Sequence, residues 1–268
     1  MAAGWIRALV YDVGVHTGED TGYYLRRGMR VVGVEANPLM CDRLREEFAP
    51  AIAAGRLTLV NAGIAPAAGE SEFYVCDDLS EWSSFDRSIA GRDGARHHAI
   101  TVETRTFAGI VAEFGTPWYC KVDIEGSDRL CLEGLRDAPD LPAYVSVEMS
   151  HEDAGTDIAL MRELGYTRFK IVSQTTWSQP RPLLTTVNGL LPWSLSERFR
   201  ALDRRFRGVS GDGSWRYPPG SSGPLSEAIP GPWSDADAAT GLWRQLRAVD
   251  ARRRPGFGND WYDVHATW

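Results

Sequence analysis

Four side chains near the middle of the chain could do acid–base chemistry together: Asp123, Glu125, Glu148 and His151. "WYCKVDIEG" and "YVSVEMS" both read as strands, and the four residues stand at or just past their carboxyl ends. Ligands of open parallel sheets bind at those ends. Asp123 and Glu125 alternate, so on a continued strand their carboxylates share one face. Two chemistries suit the set. In one, a carboxylate or His151 removes a proton from an acceptor. In the other, Asp123, Glu125 and Glu148 hold a hard divalent ion such as Mg²⁺, which lowers the pKa of an acceptor hydroxyl. The metal-free reading is preferred, because carboxylates at strand ends also serve as cofactor and helix-cap ligands. Asp123, Glu125 and His151 are the catalytic candidates, and no metal site is assigned.

A second cluster lies in "VYDVGVHTGED", from Val10 to Asp20. An apolar run ends at Asp12, and Gly14 and Gly18 precede a helix that Thr17 should cap, with Asp20 three residues on. Glu35 ends the next strand and can accept hydrogen bonds from both hydroxyls of an adenosine ribose. A dinucleotide loop needs G-x-G-x-x-G for backbone approach to the pyrophosphate. Here His16 replaces the second glycine, and Glu19 and Asp20 occupy the helix start, where they repel phosphate. S-adenosylmethionine carries no phosphate, and its ammonium and sulfonium suit acidic surroundings. It is therefore preferred over NAD. His16 either walls this pocket or points to the acceptor.

The elements that must position these residues alternate. "IRALVYDV", "RVVGVEA", "LTLVNAGI", "WYCKVDIEG", "YVSVEMS" and "TRFKIVSQ" read as strands. Helical segments separate most of them; "NPLMCDRLREEF" opens with Asn37 as cap and Pro38 in its first turn, with Met40, Leu44 and Phe48 on one face. "SEFYVC" and "HAITVETRTF" look like extra strands around a polar loop that holds Ser83 and Ser84, either of which could touch cofactor or substrate. The pattern predicts an α/β, doubly wound, mostly parallel sheet of the Rossmann type. Residues 1–177 form the core.

Past residue 178 proline, glycine and arginine become frequent, and seven of the ten tryptophans lie from Trp177 onward. Residues 178–258 are expected to form a lid-like, substrate-binding extension, and 259–268 a last strand, "WYDVHATW", that returns to the core. Trp261 and Tyr262 should then lie nearer the cleft, while His265 is read as structural. Glu148, Ser84, Trp261 and Tyr262 are the substrate candidates. His97 and His98 lack a third ligand at recognisable spacing.

Net charge −7 argues against a protein built to grip nucleic acid. No apolar run is long enough to span a bilayer, and no signal peptide is read. Cys41, Cys76, Cys120 and Cys131 are scattered, as expected of buried thiols in a cytoplasmic protein. The expected partner is a small-molecule acceptor, with neither nucleic acid nor membrane; a homodimer is compatible with the chain.

"VYDVGVHTGEDTGYYLRRGMRVVGVEANP", "KVDIEGSD", "VSVEMS" and "LMRELGYTRFKIV", in this order, resemble the FkbM-type methyltransferases. The resemblance covers roughly residues 7–175. It implies a class I, S-adenosylmethionine-dependent enzyme with a seven-stranded sheet and an antiparallel last strand, acting on hydroxyl groups of natural products or sugars. It also implies that Asp12, Gly14 and Gly18 shape the methionine pocket and that Glu35 takes the ribose. Ala36 and Asn37 would lie near the adenine, with Asn61 at its edge. Asp123 would face the methionine ammonium or the substrate. The alternatives are N-methylation, a nicotinamide-dependent oxidoreductase and a non-catalytic adenosine-binding protein.

Overall fold

Leu9, Val10, Tyr11 and Val13 have no solvent exposure at all, so the first strand is covered on both faces, as in a parallel sheet. The computed structural model describes residues 6–149, 154–213, 215–218, 221–251 and 260–268. β1 (Ile6–Val13) leads to α1 (Glu19–Arg26), β2 (Arg30–Glu35), α2 (Pro38–Glu47), α3 (Ala49–Ala53) and β3 (Leu57–Asn61). Next come β4 (Gly63–Ile64), β5 (Gly69–Cys76), the short α4 (Arg87–Ala90) and β6 (His97–Arg105). Alternation resumes with α5 (Phe107–Phe114), β7 (Pro117–Val122), α6 (Asp128–Gly134), β8 (Tyr144–Glu148), α7 (Ala154–Leu164) and β9 (Arg168–Ser173). The rest is α8 (Pro182–Gly189), α9 (Trp193–Arg207), β10 (Gly211–Asp212), β11 (Trp215–Arg216), α10 (Ala236–Asp250) and β12 (Tyr262–Thr267).

The main sheet has seven strands in the order β3-β2-β1-β7-β8-β12-β9. β12 runs antiparallel to β9, and β1 runs parallel to β2 and β7. This is the expected doubly wound architecture with its reversed last strand. The stretch expected as one third strand divides. β3 stays in the main sheet, while β4 joins β6 and β5 in a separate three-stranded sheet.

The chain forms two compact units, Met1–Val145 and Ser146–Trp268. In the first, some local signals act as read and others do not. The Asn37 side chain accepts from the Leu39 amide at 3.0 Å and caps α2, with Pro38 at its first position. Cys41, rather than Met40, joins Leu44 on the buried face of that helix. Thr17 does not cap α1. Gly18 takes the cap position at φ 90°, and the Thr17 hydroxyl turns to the Glu19 carboxylate. All four cysteines are buried and free.

In the second unit, α7 packs Ile158 and Met161 inward, and α10 contributes Trp243 and Leu246. Trp243 meets Tyr262 edge-on. His265 on β12 is fully buried. Its Nδ1 lies 2.7 Å from the Ser226 hydroxyl and its Nε2 3.4 Å from that of Ser146. The Asp263 carboxylate accepts instead from Gln174 at 2.8 Å. His265 is thus a structural core residue, as its place far along the strand suggested. No helix among the described residues is long and apolar enough to cross a membrane.

Burial, followed by the nearby charge of Lys170, lowers the His265 pKa to about 3. The unfolded chain binds this proton near pH 6.5, whereas the folded chain does not. Between those values stability falls as pH falls, by about 1.4 kcal/mol per pH unit from this group. His265→Gln should remove that slope in urea unfolding measured from pH 6.5 to 4; wild-type and variant curves that stay parallel would contradict it.

Candidate functional site

Lys121 stands on β7 between Cys120 and Val122 and is almost fully buried. Its ammonium donates to the Gly14 carbonyl at 2.8 Å. It lies 3.3 Å from Asp12 Oδ1, 3.8 Å from Asp123 Oδ2 and 3.9 Å from Asp20 Oδ2. Burial pulls the Lys121 pKa down, but Asp12, Asp123 and Asp20 outweigh this and hold it well above its usual value. Three carboxylates surround this one cation, and burial raises the Asp12 pKa against the pull of Lys121 and the Thr21 hydroxyl. Asp12 is fully buried and also accepts from the Thr21 hydroxyl at 2.6 Å, so it orders the loop from inside. Asp123 is the accessible member, 21% exposed.

Gly14 is required by close approach. A Cβ there would lie 1.8 Å from the Asp123 carbonyl oxygen, and its φ of 86° is itself one that side chains disfavour. A Cβ at Gly18 would strike Phe48. Both glycines therefore let neighbouring segments touch. The ends of β1 and β7 meet here, since the Asp123 amide donates to the Val13 carbonyl at 2.9 Å.

Glu35 closes β2, and its carboxylate is preorganised. One oxygen accepts from the His16 amide at 2.9 Å, the other from the Asn37 amide at 2.8 Å. Burial raises its pKa, and the two amides only partly offset this. A carboxylate has about four acceptor sites, so two amides leave room for a diol. The Asn61 side-chain Nδ2 donates to the Glu35 and Ala36 carbonyls at 3.0 and 3.2 Å, joining the ends of β3 and β2. Ala36 is half-buried beside it, and Asn37 is buried.

His16 has φ 53°, uncommon for a residue with a side chain. Its Nε2 lies 2.8 Å from the Ser80 hydroxyl and its Nδ1 3.6 Å from Glu19. The Glu19 hydrogen bond is the main cause of a raised His16 pKa. Burial would raise the Glu19 pKa, but His16 and Thr17 reverse this and hold it at about 2. Glu19 is therefore ionised at the α1 start, where a phosphate would otherwise rest. His16 fastens the loop to the segment at Ser80.

Asp123 and Glu125 do not alternate on a strand. β7 stops at Val122, and Glu125 at φ 49° and Gly126 at φ 95° turn the chain. The Glu125 carboxylate takes two hydrogen bonds from Arg92, at 3.0 and 3.3 Å. Arg92 lies over the Trp82 ring at 4.2 Å. Ser84 is buried, its hydroxyl donating to the Glu125 carbonyl at 2.7 Å and accepting from the Asp86 amide at 3.0 Å. It anchors this loop and is not open to substrate as expected. Asp128 accepts from the Ile124 and Gly126 amides at 2.8 and 3.0 Å. Burial raises the Glu125 pKa to about 7, partly opposed by Arg92.

The remaining candidates lie in the second unit. Glu148 is buried at the end of β8. Tyr262, expected near a substrate, is instead core, because β12 is covered on both faces. Trp261 is 40% exposed. His151 lies outside the described residues. Among the described residues, no group of three His, Cys, Asp or Glu side chains is arranged to hold a metal ion.

Lys121, Arg92 and Ser80 escaped the reading of the sequence. Only Lys121 had a local signal, a lysine inside an otherwise apolar strand. Replacing it with methionine strands the buried carboxylates. Lys121→Met should cost about 3–5 kcal/mol in urea unfolding at neutral pH; a loss below about 1 kcal/mol would contradict the central role of this cation.

A family model described as the methyltransferase FkbM domain matches residues 12–168. No curated protein sequence matches the chain. Among solved structures, the FkbM methyltransferase of Methylobacillus flagellatus is 19% identical with a TM-score of 0.43, over 62% of this chain and 40% of that one. The chain thus spans less than half the length of that relative. A precorrin-6y C5,15-methyltransferase from Geobacter metallireducens is 11% identical with a TM-score of 0.41, over 98% of this chain and 82% of that one. A TehB-like methyltransferase from Corynebacterium glutamicum is 12% identical with a TM-score of 0.36, over 62% and 70%. The FkbM match runs from Asp12, near the end of β1, to the first residue of β9, through every residue of the Lys121 cluster, and the chain belongs to the FkbM methyltransferase domain family.

Proposed function

We propose that this chain methylates a hydroxyl group of a small molecule, with S-adenosylmethionine as donor. The residues fit that cofactor. The carboxylates around Lys121 outnumber it and suit a cationic ligand, and Glu35 is a fixed carboxylate with spare acceptor capacity. Glu35 would hold the ribose hydroxyls, Asn61 and Ala36 would border the adenine, and Asp123 would meet the ammonium group. When bound, S-adenosylmethionine supplies a methyl group already activated by its sulfonium.

The protein's own contribution is then alignment and proton removal. Glu125 is the proposed base. The observation that carries this reading is a carboxylate held by Arg92 on a loop beside Asp123, with its pKa moved by burial to about 7. A base works best when its pKa lies near the working pH. An alcohol must lose its proton as it attacks, whereas a neutral amine attacks through its lone pair, so a poised base favours oxygen as the acceptor atom. A sugar-like or natural-product alcohol is the proposed substrate class.

Glu125→Gln should lower methyl transfer from labelled S-adenosylmethionine by about 100-fold or more, while S-adenosylhomocysteine binding persists. Unchanged transfer would remove Glu125 from the chemistry. For the wild type, kcat/KM should fall about tenfold per pH unit below pH 7, because the base is lost to protonation. Arg92→Gln should move that limb to higher pH, since the charge favouring the ionised carboxylate is gone; an unmoved limb would assign the ionisation elsewhere. Glu35→Ala should weaken S-adenosylhomocysteine binding in calorimetry by about tenfold or more; full affinity would sink the ribose assignment.

A further inference from the structure

α9 is amphipathic in the reverse sense for a helix lying on its own protein. Its buried residues are Ser196 and Arg200. The Ser196 hydroxyl donates to Asn188 Oδ1 of α8 at 2.6 Å, and Arg200 pairs with Glu197 while lying over the Trp193 ring. Leu195, Leu202 and Phe206 are exposed instead, Phe206 to 76%. With Phe199 they follow the i, i+4, i+7, i+11 spacing of one narrow helical stripe. α8 and the residue that closes it do the same with Leu183, Val187 and Leu190, of which the first and last are 74% and 70% exposed. Of eleven exposed large hydrophobic side chains among the described residues, seven lie between 183 and 206. Single exposed hydrophobic residues are ordinary, but such a concentration marks an interaction surface.

The charges beside the stripes are one-sided. Both acidic residues of α9 are neutralised within it, Glu197 by Arg200 and Asp203 by Arg207. Arg198 and Arg205 are exposed, flank the stripe one heptad apart, and have no ion-pair partner among the described residues. α8 carries no charge, and exposed Arg181 precedes it. The surface therefore combines hydrocarbon with uncompensated guanidinium groups in a chain whose net charge is −7. Isologous antiparallel pairing of α9 with a second copy would bring Arg198 and Arg205 toward like charges. A partner's groove takes the stripe of one helix, whereas here two helices each present one. The head-group region of an anionic bilayer accepts both features: apolar side chains enter it, and guanidinium groups meet lipid phosphates.

We propose that α8 and α9 form a docking surface for the head-group region of an anionic membrane. This is peripheral attachment; it departs from the expectation of no membrane partner, which rested on the absence of a spanning run and does not bear on a surface contact. It is independent of the methyltransferase chemistry, because neither helix supplies a residue to the site described above.

The test is sedimentation of the full chain with vesicles of phosphatidylcholine alone and of an equimolar mixture with phosphatidylglycerol. Binding to the mixed vesicles is expected, at least about tenfold tighter than to phosphatidylcholine, and weaker as salt rises. The double variant Leu202→Asp/Phe206→Asp should lose binding, and Arg198→Gln/Arg205→Gln should lose the preference for anionic lipid. All four positions are exposed, so both variants should keep the wild-type circular dichroism spectrum. If the aspartate variant failed to fold, the arginine variant alone would decide. Absence of wild-type binding to the mixed vesicles would overturn the proposal. So would equal binding to both vesicle types, or a solution dimer that Leu202→Asp/Phe206→Asp dissociates, which would assign the surface to a second copy.

Discussion

The buried ammonium group of Lys121 is the point on which four strand ends depend. It draws Asp12, Asp20 and Asp123 together and holds the Gly14 carbonyl. Gly14 in turn can lie against the Asp123 carbonyl only because it has no side chain. The contacts continue outward as a row. The Asp123 amide reaches Val13, the Gly14 amide reaches Val34, and Asn61 reaches Glu35. The carboxyl ends of β7, β1, β2 and β3 are thus stitched side by side, and Glu35 and Asp123 are presented along one edge of the sheet. A buried ion pair is weak evidence for net stability, but removing one partner leaves uncompensated charge. Lys121 therefore acts chiefly by fixing geometry.

The same cluster sets which ligand the edge can take. A dinucleotide places its pyrophosphate at the first helix start. Here Glu19, kept ionised by His16 and Thr17, and Asp20, drawn toward Lys121, occupy that turn. Both glycines of the loop serve contact between protein segments, and neither opens the backbone to phosphate. The residues suit an adenosyl group joined to a cationic chain, in keeping with membership of a methyltransferase family. The second control is the segment between β5 and β6, which supplies Ser80 to His16, Ser84 to the Glu125 backbone and Arg92 to its carboxylate. An insertion into the alternating fold thus orders the loop that carries the proposed base.

Features whose cause is local were legible in the sequence. The apolar run of β1, the Asn37 cap followed by Pro38, and Glu35 at the close of β2 each depend on neighbours within a few residues. His265 was legible as core because β12 runs antiparallel from its edge. Thr17 failed as a cap because Gly18, at φ 90°, takes the cap position and the Thr17 hydroxyl turns to the Glu19 carboxylate. Asp123 and Glu125 were misplaced because the apolar pattern of β7 conceals its end. The Glu-Gly pair at 125–126 was the turn signal that outweighed alternation. Arg92, which lies 33 residues from Glu125, had no such signal; only the folded chain brings them together. The reversed amphipathicity of α9 was equally hidden, since periodicity reports that a stripe exists and not which way it faces.

The most direct test of the charge-selected site is paired calorimetric titration of the purified chain with S-adenosylhomocysteine and with NAD⁺. An edge built on Glu35, Asp123 and an ionised helix start should bind S-adenosylhomocysteine at one site per chain and leave NAD⁺ without measurable heat. Saturable binding of NAD⁺ with equal or higher affinity would show that the acidic turn admits a pyrophosphate and would contradict the assignment of these residues.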